Sequence, residues 1–145
     1  MRKVIVSEYV TLDGVMEDPG GLNRFKDGNW HFPFWDEETH TYKFEELFAS
    51  DALLLGRVTY QEFAAAWPFR TDEEGFADRM NGLPKYVVST TLSEVTWHNS
   101  RLIKANVAEA VSSVGTGTDA YRLRIGTRTL ELAPPRSGRR GVAGL

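Results

Sequence analysis

Apolar residues gather along this chain in short runs whose periods alternate between strand-like and helix-like. Lys3 to Val10 alternates and is rich in Val, Ile and Tyr, which predicts a strand, placed centrally in a sheet. Thr11-Leu12-Asp13-Gly14 closes it with turn residues, and Val15 to Pro33, which holds Pro19-Gly20-Gly21 and Asp27-Gly28-Asn29, is expected as a long loop. Phe34 to Ser50 switches to the helical period: Phe44, Leu47 and Phe48 fall at i, i+3 and i+4, and the glutamates lie mostly outside that face. Leu53-Leu54-Leu55 predicts a buried strand that Gly56 ends, followed by a helix from Tyr60 to Trp67 that Pro68 stops. A short helix is expected around Glu73–Met80, a buried strand at Lys85–Ser89, a turn at Trp97–Ser100, a short strand at Arg101–Ile103 and a helix from Val107 to Val114. Strands alternating with helices give the α/β class with a mostly parallel sheet.

After Val114 the pattern fails. Gly115-Thr116-Gly117-Thr118 leads into an Arg-rich alternation at Tyr121 to Ile125, then Ala133-Pro134-Pro135 and Arg136-Ser137-Gly138-Arg139-Arg140-Gly141. Tyr121 to Leu132 is expected as at most an isolated hairpin, and the remainder as disordered. Charge shifts at the same place: residues 1–112 balance at -7 and residues 113–145 at +4, with six of the twelve arginines and none of the five lysines in the tail. One domain over residues 1–114 and an atypical tail over 115–145 account for the 145 residues. The absence of cysteine excludes disulfides and thiolate metal sites. His31, His40 and His98 show no metal-ligand spacing, so no metal is expected. The apolar runs are too short for a membrane span or a signal peptide, and a cytoplasmic protein is expected. The acidic body argues against nucleic acid as a partner.

Gly56-Arg57-Val58-Thr59 stands between a strand and a helix, where backbone N–H groups, a guanidinium and a hydroxyl meet the positive end of the helix dipole. Phosphate binding and a plain helix cap both fit, and spacing alone favours the cap. Ser89-Thr90-Thr91 is a second hydroxyl cluster at the C-terminal end of a strand, the edge where open α/β sheets bind ligands. Asp36-Glu37-Glu38 is expected as a solvated helix start. Trp30, Phe32, Phe34 and Trp35 are expected either to line a pocket for a planar ring or to pack as a lid's own small core.

Three segments, VIVSEYVTLDGVMEDP, LLLGRVTYQEFAAAWP and KYVVSTTLSEVTWHNSRLI, in this order and spacing, resemble the dihydrofolate-reductase-like family. They are most similar to the branch related to the C-terminal reductase domain of the riboflavin-biosynthesis protein RibD. The resemblance covers residues 1–114. It implies a mostly parallel sheet flanked by helices, NADPH as cofactor, and hydride transfer to a small heterocyclic or sugar-derived substrate. The related activity is that of 5-amino-6-(5-phosphoribosylamino)uracil reductase; the alternative is a non-catalytic nucleotide-binding or ligand-binding module, or an inactive truncated relative. It also implies that Gly56, Arg57 and Thr59 hold cofactor phosphates and that Ser89 and Thr90 lie near the adenosine 2′-phosphate. Leu12, Asp13 and Gly14 would lie near the nicotinamide and substrate, and the loop from Glu17 to Trp35 would cover the substrate pocket. Members pair as homodimers. For catalysis the one candidate is Asp13, a carboxylate able to relay a proton if burial raised its pKa; a turn aspartate capping its own loop is the alternative.

The family pattern continues with a strand into a Gly-Ser-Ala-like phosphate turn, a helix and Gly-Leu-Val-Asp-Glu, and this chain has neither motif. Read one base forward, however, the codons of Tyr121–Gly126 can encode Ile-Val-Ser-Gly-Ser-Ala, and those of Arg136–Arg140 can encode Gly-Leu-Val-Asp-Glu. The expectation is that residues 115–145 are a frameshifted tail, and that the C-terminal part of the fold is incomplete or irregular.

Overall fold

The computed structural model describes residues 3–21, 26–114 and 122–125. Its strands are β1 (Lys3–Val6), β2 (Ala52–Gly56), β3 (Lys85–Val88), β4 (Ser100–Ile103) and β5 (Arg122–Ile125). Its helices are α1 (Glu37–Phe48), α2 (Arg57–Ala66), α3 (Phe76–Gly82) and α4 (Val107–Ser113). The five strands form one sheet in the order β1-β5-β2-β3-β4, and every pairing is parallel. The α/β class therefore holds, with helices on the sheet.

Each helix starts where the sequence supplies an acceptor or a break. Asp36 caps α1 by accepting from the Thr39 N–H at 2.8 Å, and hydrogen bonding to the Thr39 side chain and N–H holds its carboxyl below the ordinary aspartate range. Glu37 and Glu38 fill the first turn, as the acidic cluster suggested. Asp72 accepts from the Phe76 and Ala77 N–H groups at the start of α3, and the Ala77 bond in particular lowers its carboxyl. At the end of α2, Trp67–Phe69 form a 3₁₀ turn with Pro68 inside it.

The main core lies between the sheet and the layer of α1, α2 and α3. It is built from Leu47, Leu53, Leu55, Tyr60, Met80, Leu83, Val87 and Trp97. The other sides of β2 and β3 meet α4 through Ala52, Leu54 and Val114, with Tyr86 and Val88 beside them. The two clusters take alternate residues of the same strands, which is why the runs Leu53-Leu54-Leu55 and Tyr86-Val87-Val88 look continuously apolar.

Tyr60 ties these parts together. Its hydroxyl accepts from the Thr96 and Trp97 N–H groups at 2.8 and 2.9 Å, and the Trp97 indole N–H donates to Asn81 Oδ1 at 2.8 Å. Tyr60→Phe keeps the ring and strands two donors, one of them on the buried Trp97. A loss of about 2 kcal/mol is expected in urea unfolding, with an unchanged denaturant slope.

Two expectations are corrected. Lys3–Val10 was expected as a central strand, but β1 covers only Lys3–Val6 and ends the strand order among the described residues. Val4 and Val6 are accordingly 49% and 63% exposed. The central strand is β2, and β5 is an interior strand between β1 and β2, with Leu123 in register with both Val4 and Ala52. The arginines of Arg122-Leu123-Arg124-Ile125 made this segment look like part of an isolated hairpin; its backbone is a fully flanked parallel strand. The other tail positions of that expectation lie outside the described residues.

Candidate functional site

Because all five strands are parallel, their C-terminal ends share one edge, and the candidate residues collect there. Gly56, in register with Val88, is the N-cap of α2 and has no side chain to offer, so the first amides of that helix are not capped by it. Arg57 is exposed, and its Nη1 donates to Gln61 Oε1 at 3.0 Å one turn along. Thr59 is buried, with 1% of its surface exposed. Of the Gly-Arg-x-Thr motif, the guanidinium and the helix amides are thus the parts open to an approaching anion.

At the end of β3, Ser89 is buried, and its Oγ accepts from the Thr91 and Leu92 N–H groups at 3.2 and 3.0 Å. Thr90 beside it is exposed. The turn after β1 is closed by Gly14 N–H to Thr11 C=O, with Gly14 at φ +89. Leu12, Asp13 and Gly14 are all exposed. The Thr11 hydroxyl donates to the Asp13 carboxylate, the arrangement of an aspartate serving its own turn. None of these three lines the cavity described next.

That cavity, of about 780 Å³, lies against the face of β2 between α1, α2 and α3, and Gly56, Arg57, Thr59, Ser89 and Thr90 do not line it either. Its floor is Leu53 and Leu55, its far side Phe63, Trp67 and Phe76, and its roof the strap from Met16 to Trp35, of which Met16–Gly20, His31, Phe32 and Trp35 contribute. Of the four aromatic candidates, Phe32 and Trp35 line the cavity. Trp30 and Phe34 do not: the Trp30 indole N–H donates to Glu17 C=O at 2.9 Å, and Phe34 is 80% exposed.

Rings run continuously round the wall. His31 lies 4.7 Å from Tyr9, 4.1 Å from Phe32 and 5.7 Å from Trp35 between centroids. Trp35 meets His40 at 6.1 Å, and the series continues through Phe44 and Phe76 to Trp67. His40 also pairs with Glu74 at 3.1 Å across the rim. Both histidines are thus wall residues, and among the described residues no group of His, Asp and Glu is arranged to hold a metal.

Lys43 is a cavity-lining charge that sequence reasoning missed. It lines the cavity from α1, donating to Ser7 Oγ at 2.8 Å and to Glu46 Oε2 at 3.2 Å. Glu8, next to Ser7, has its carboxyl raised by burial, with the Lys43 charge partly offsetting the rise. The available signal was spacing: Lys43, Leu47 and Ser50 are i, i+4 and i+7, a buried line parallel to the Phe44–Phe48 stripe that was noticed.

The strap is folded by its own hydrogen bonds. Asp18 C=O accepts from the Gly21 and Asn29 N–H groups at 3.2 and 2.9 Å, and Asp18, Gly21 and Asn29 all have positive φ. A Cβ on Gly21 would stand 2.4 Å from the Asn29 Cβ. Gly21→Ala is expected to free the Asn29 amide to exchange rapidly with solvent, while Tm moves by roughly 2 °C or less, because no described residue of the strap belongs to the core. Hydrogen exchange resolved by residue measures both.

No protein-family model matches the chain, and no curated protein matches it. Among the described residues no helix is long and apolar enough to cross a membrane.

Proposed function

We propose that the chain is a dihydrofolate-reductase-like protein of the branch related to the RibD reductase domain. On this reading the fold binds NADPH and passes hydride to a small heterocyclic or sugar-derived substrate, and the cofactor site is only half assembled. The observation that carries the proposal is convergence. The exposed Arg57 with the α2 amides and the Ser89-Thr90 turn stand at the C-terminal edge of one parallel sheet, and a ring-walled cavity lies against the face of β2 beside α2. That is where an open α/β sheet places a dinucleotide and its substrate. The frameshifted tail is part of the same proposal, and resequencing the coding DNA tests it. So is pairing as a homodimer, which sedimentation tests.

A second reading, a non-catalytic nucleotide-binding or ligand-binding module, draws on Asp13 lying outside the cavity and on the Ser89 hydroxyl being occupied by its own loop. NADPH titrated against tryptophan fluorescence, followed by NADPH consumption with pterin and pyrimidine substrates, separates the two. Binding with turnover supports the reductase, and binding without turnover supports the module. If neither the chain nor a frame-restored version binds NADPH, the reductase reading fails and so does a module that takes this dinucleotide.

A further inference from the structure

The two ends of the sheet are built differently. Among the described residues the strand order ends at β4 on one side and at β1 on the other. The β4 edge is guarded: Arg101 stands exposed within the strand, and Lys104 is exposed just beyond it. Charges of this kind discourage a further strand from joining an edge. The β1 edge has no such guard. Val4, Ile5 and Val6 follow one another without a charge, and all three are exposed. None is proline, so the main chain of the run keeps every donor and acceptor. Successive residues point to opposite faces of a strand, so apolar surface is open on both faces of β1. A continuous apolar run is the pattern of a parallel strand that is covered and has a neighbour on each side. Among the described residues β1 has one neighbour, β5.

We propose that β1 pairs antiparallel with β1 of a second copy of this chain, about a twofold axis at Ile5, so that one sheet runs through both copies. This rests on the homodimer reading and gives it a surface; it does not depend on reductase activity. The occupant is a second copy because the segment is complementary to itself. With the axis at Ile5, the two Ile5 residues face each other and Val4 faces Val6 of the partner subunit. The four valines then form one patch on one face of the joined sheet. The charges in the sequence obey the same symmetry. Three residues before Ile5 stands a cation, Arg2, and three residues after it an anion, Glu8. Antiparallel pairing sets each of these opposite its counter-charge, whereas parallel pairing in register sets like charges side by side. Glu8 has such a charge to gain: its Oε2 is buried and has no hydrogen-bond partner among the described residues.

The chain has no cysteine, so a single introduced one reports the register. Ile5→Cys is expected to cross-link copy to copy on mild oxidation, because facing residues of antiparallel strands have Cα atoms about 4.5–5.5 Å apart, within disulfide reach. Val4→Cys faces Val6 of the partner subunit instead, and is expected to cross-link about tenfold more slowly or less. Sedimentation of V4K/V6K and V4K/V6E supplies the second test. Both place two charges at the same exposed positions, but like charges face each other between copies in the first and opposite charges in the second. The native chain and V4K/V6E are expected to dimerise at micromolar concentration, and V4K/V6K about tenfold or more weakly. Circular dichroism checks that both variants are folded, and Ile5→Cys leaves the charge unchanged if either is not. A dimer that V4K/V6K leaves intact, or equal cross-linking at positions 4 and 5, overturns the β1 interface and leaves the homodimer reading standing. A native chain that stays monomeric up to about 100 μM, as it would if another part of the chain covered β1, overturns both. NADPH binding is titrated separately and decides neither.

Discussion

Lys85→Met is expected to destabilise the fold by about 3 kcal/mol, the largest single-residue effect in the molecule, because it removes one donor group from three buried acceptors at once. Lys85 is 1% exposed at the start of β3. Its Nζ donates to Asn81, Leu83 and His98 carbonyls at 2.7, 2.9 and 3.1 Å and lies 4.1 Å from the Trp97 ring centroid. Asn81 and Leu83 are at the C-terminal end of α3, where carbonyls lack helical partners and a cation is favoured. Methionine fills the space and pairs with none of them. In thermal unfolding the loss should lower Tm by roughly 10 °C.

The same group sets a pH signature. Burial pushes the Lys85 ammonium down to about 8 from 10.5. Between those values the unfolded chain holds a proton that the folded chain has released, so this contribution to stability rises with pH from about 8 to 10.5 and is flat below it. The neutral amine keeps two of its three donors. The difference in unfolding free energy between the native chain and Lys85→Met, followed across that window, should therefore widen with pH; a constant difference contradicts this account of Lys85.

The second large effect concerns the cofactor. This chain is expected to bind NADPH weakly or not at all, and a frame-restored chain to bind it at least about a hundredfold more tightly. The physical argument is the number of groups that meet the pyrophosphate. As described, the edge offers Arg57, the α2 amides and the Ser89-Thr90 turn. The restored frame would replace positions 124–126 by Gly-Ser-Ala, at the C-terminal end of the strand beside β2, where small residues let the backbone approach a phosphate closely. Several charge-assisted hydrogen bonds to phosphate, each contributing on the order of 1.5 kcal/mol or more, give that factor. Within the restored chain, Arg57→Ala should weaken NADPH more than NADH if the guanidinium reaches the 2′-phosphate, and both alike if it holds the pyrophosphate.

The sheet and its helices were legible where apolar period and punctuation agreed. Leu53-Leu54-Leu55 before Gly56, and Lys85-Tyr86-Val87-Val88 before Ser89, announced buried strands because each is covered on both sides. The short helix expected near Glu73 begins later, at Phe76, because Asp72 caps it through two N–H groups and Gly75 takes the left-handed turn before it. β5 was not legible: its arginines carry no strand signal, and its place was decided by a gap between β1 and β2 that only tertiary structure reveals. The site was half legible. Gly56-Arg57 and Ser89-Thr90 stood out because they punctuate strand ends, and the strap because it is long. Lys43 was invisible as chemistry, since a lysine on an amphipathic helix is ordinarily solvated, and what buries it comes from Ser7 and Tyr9, more than thirty residues earlier. His31 and His40 were weighed only as metal ligands, while the fold uses them as rings.

The central claim is that one edge of this sheet is a dinucleotide site lacking half of its phosphate grip. Titrating NADPH into this chain and into the frame-restored chain side by side, read by tryptophan quenching, tests it most directly. The account predicts micromolar binding by the restored chain, abolished or strongly weakened in this one. Equal affinity in the two chains, or no binding by the restored chain, contradicts it.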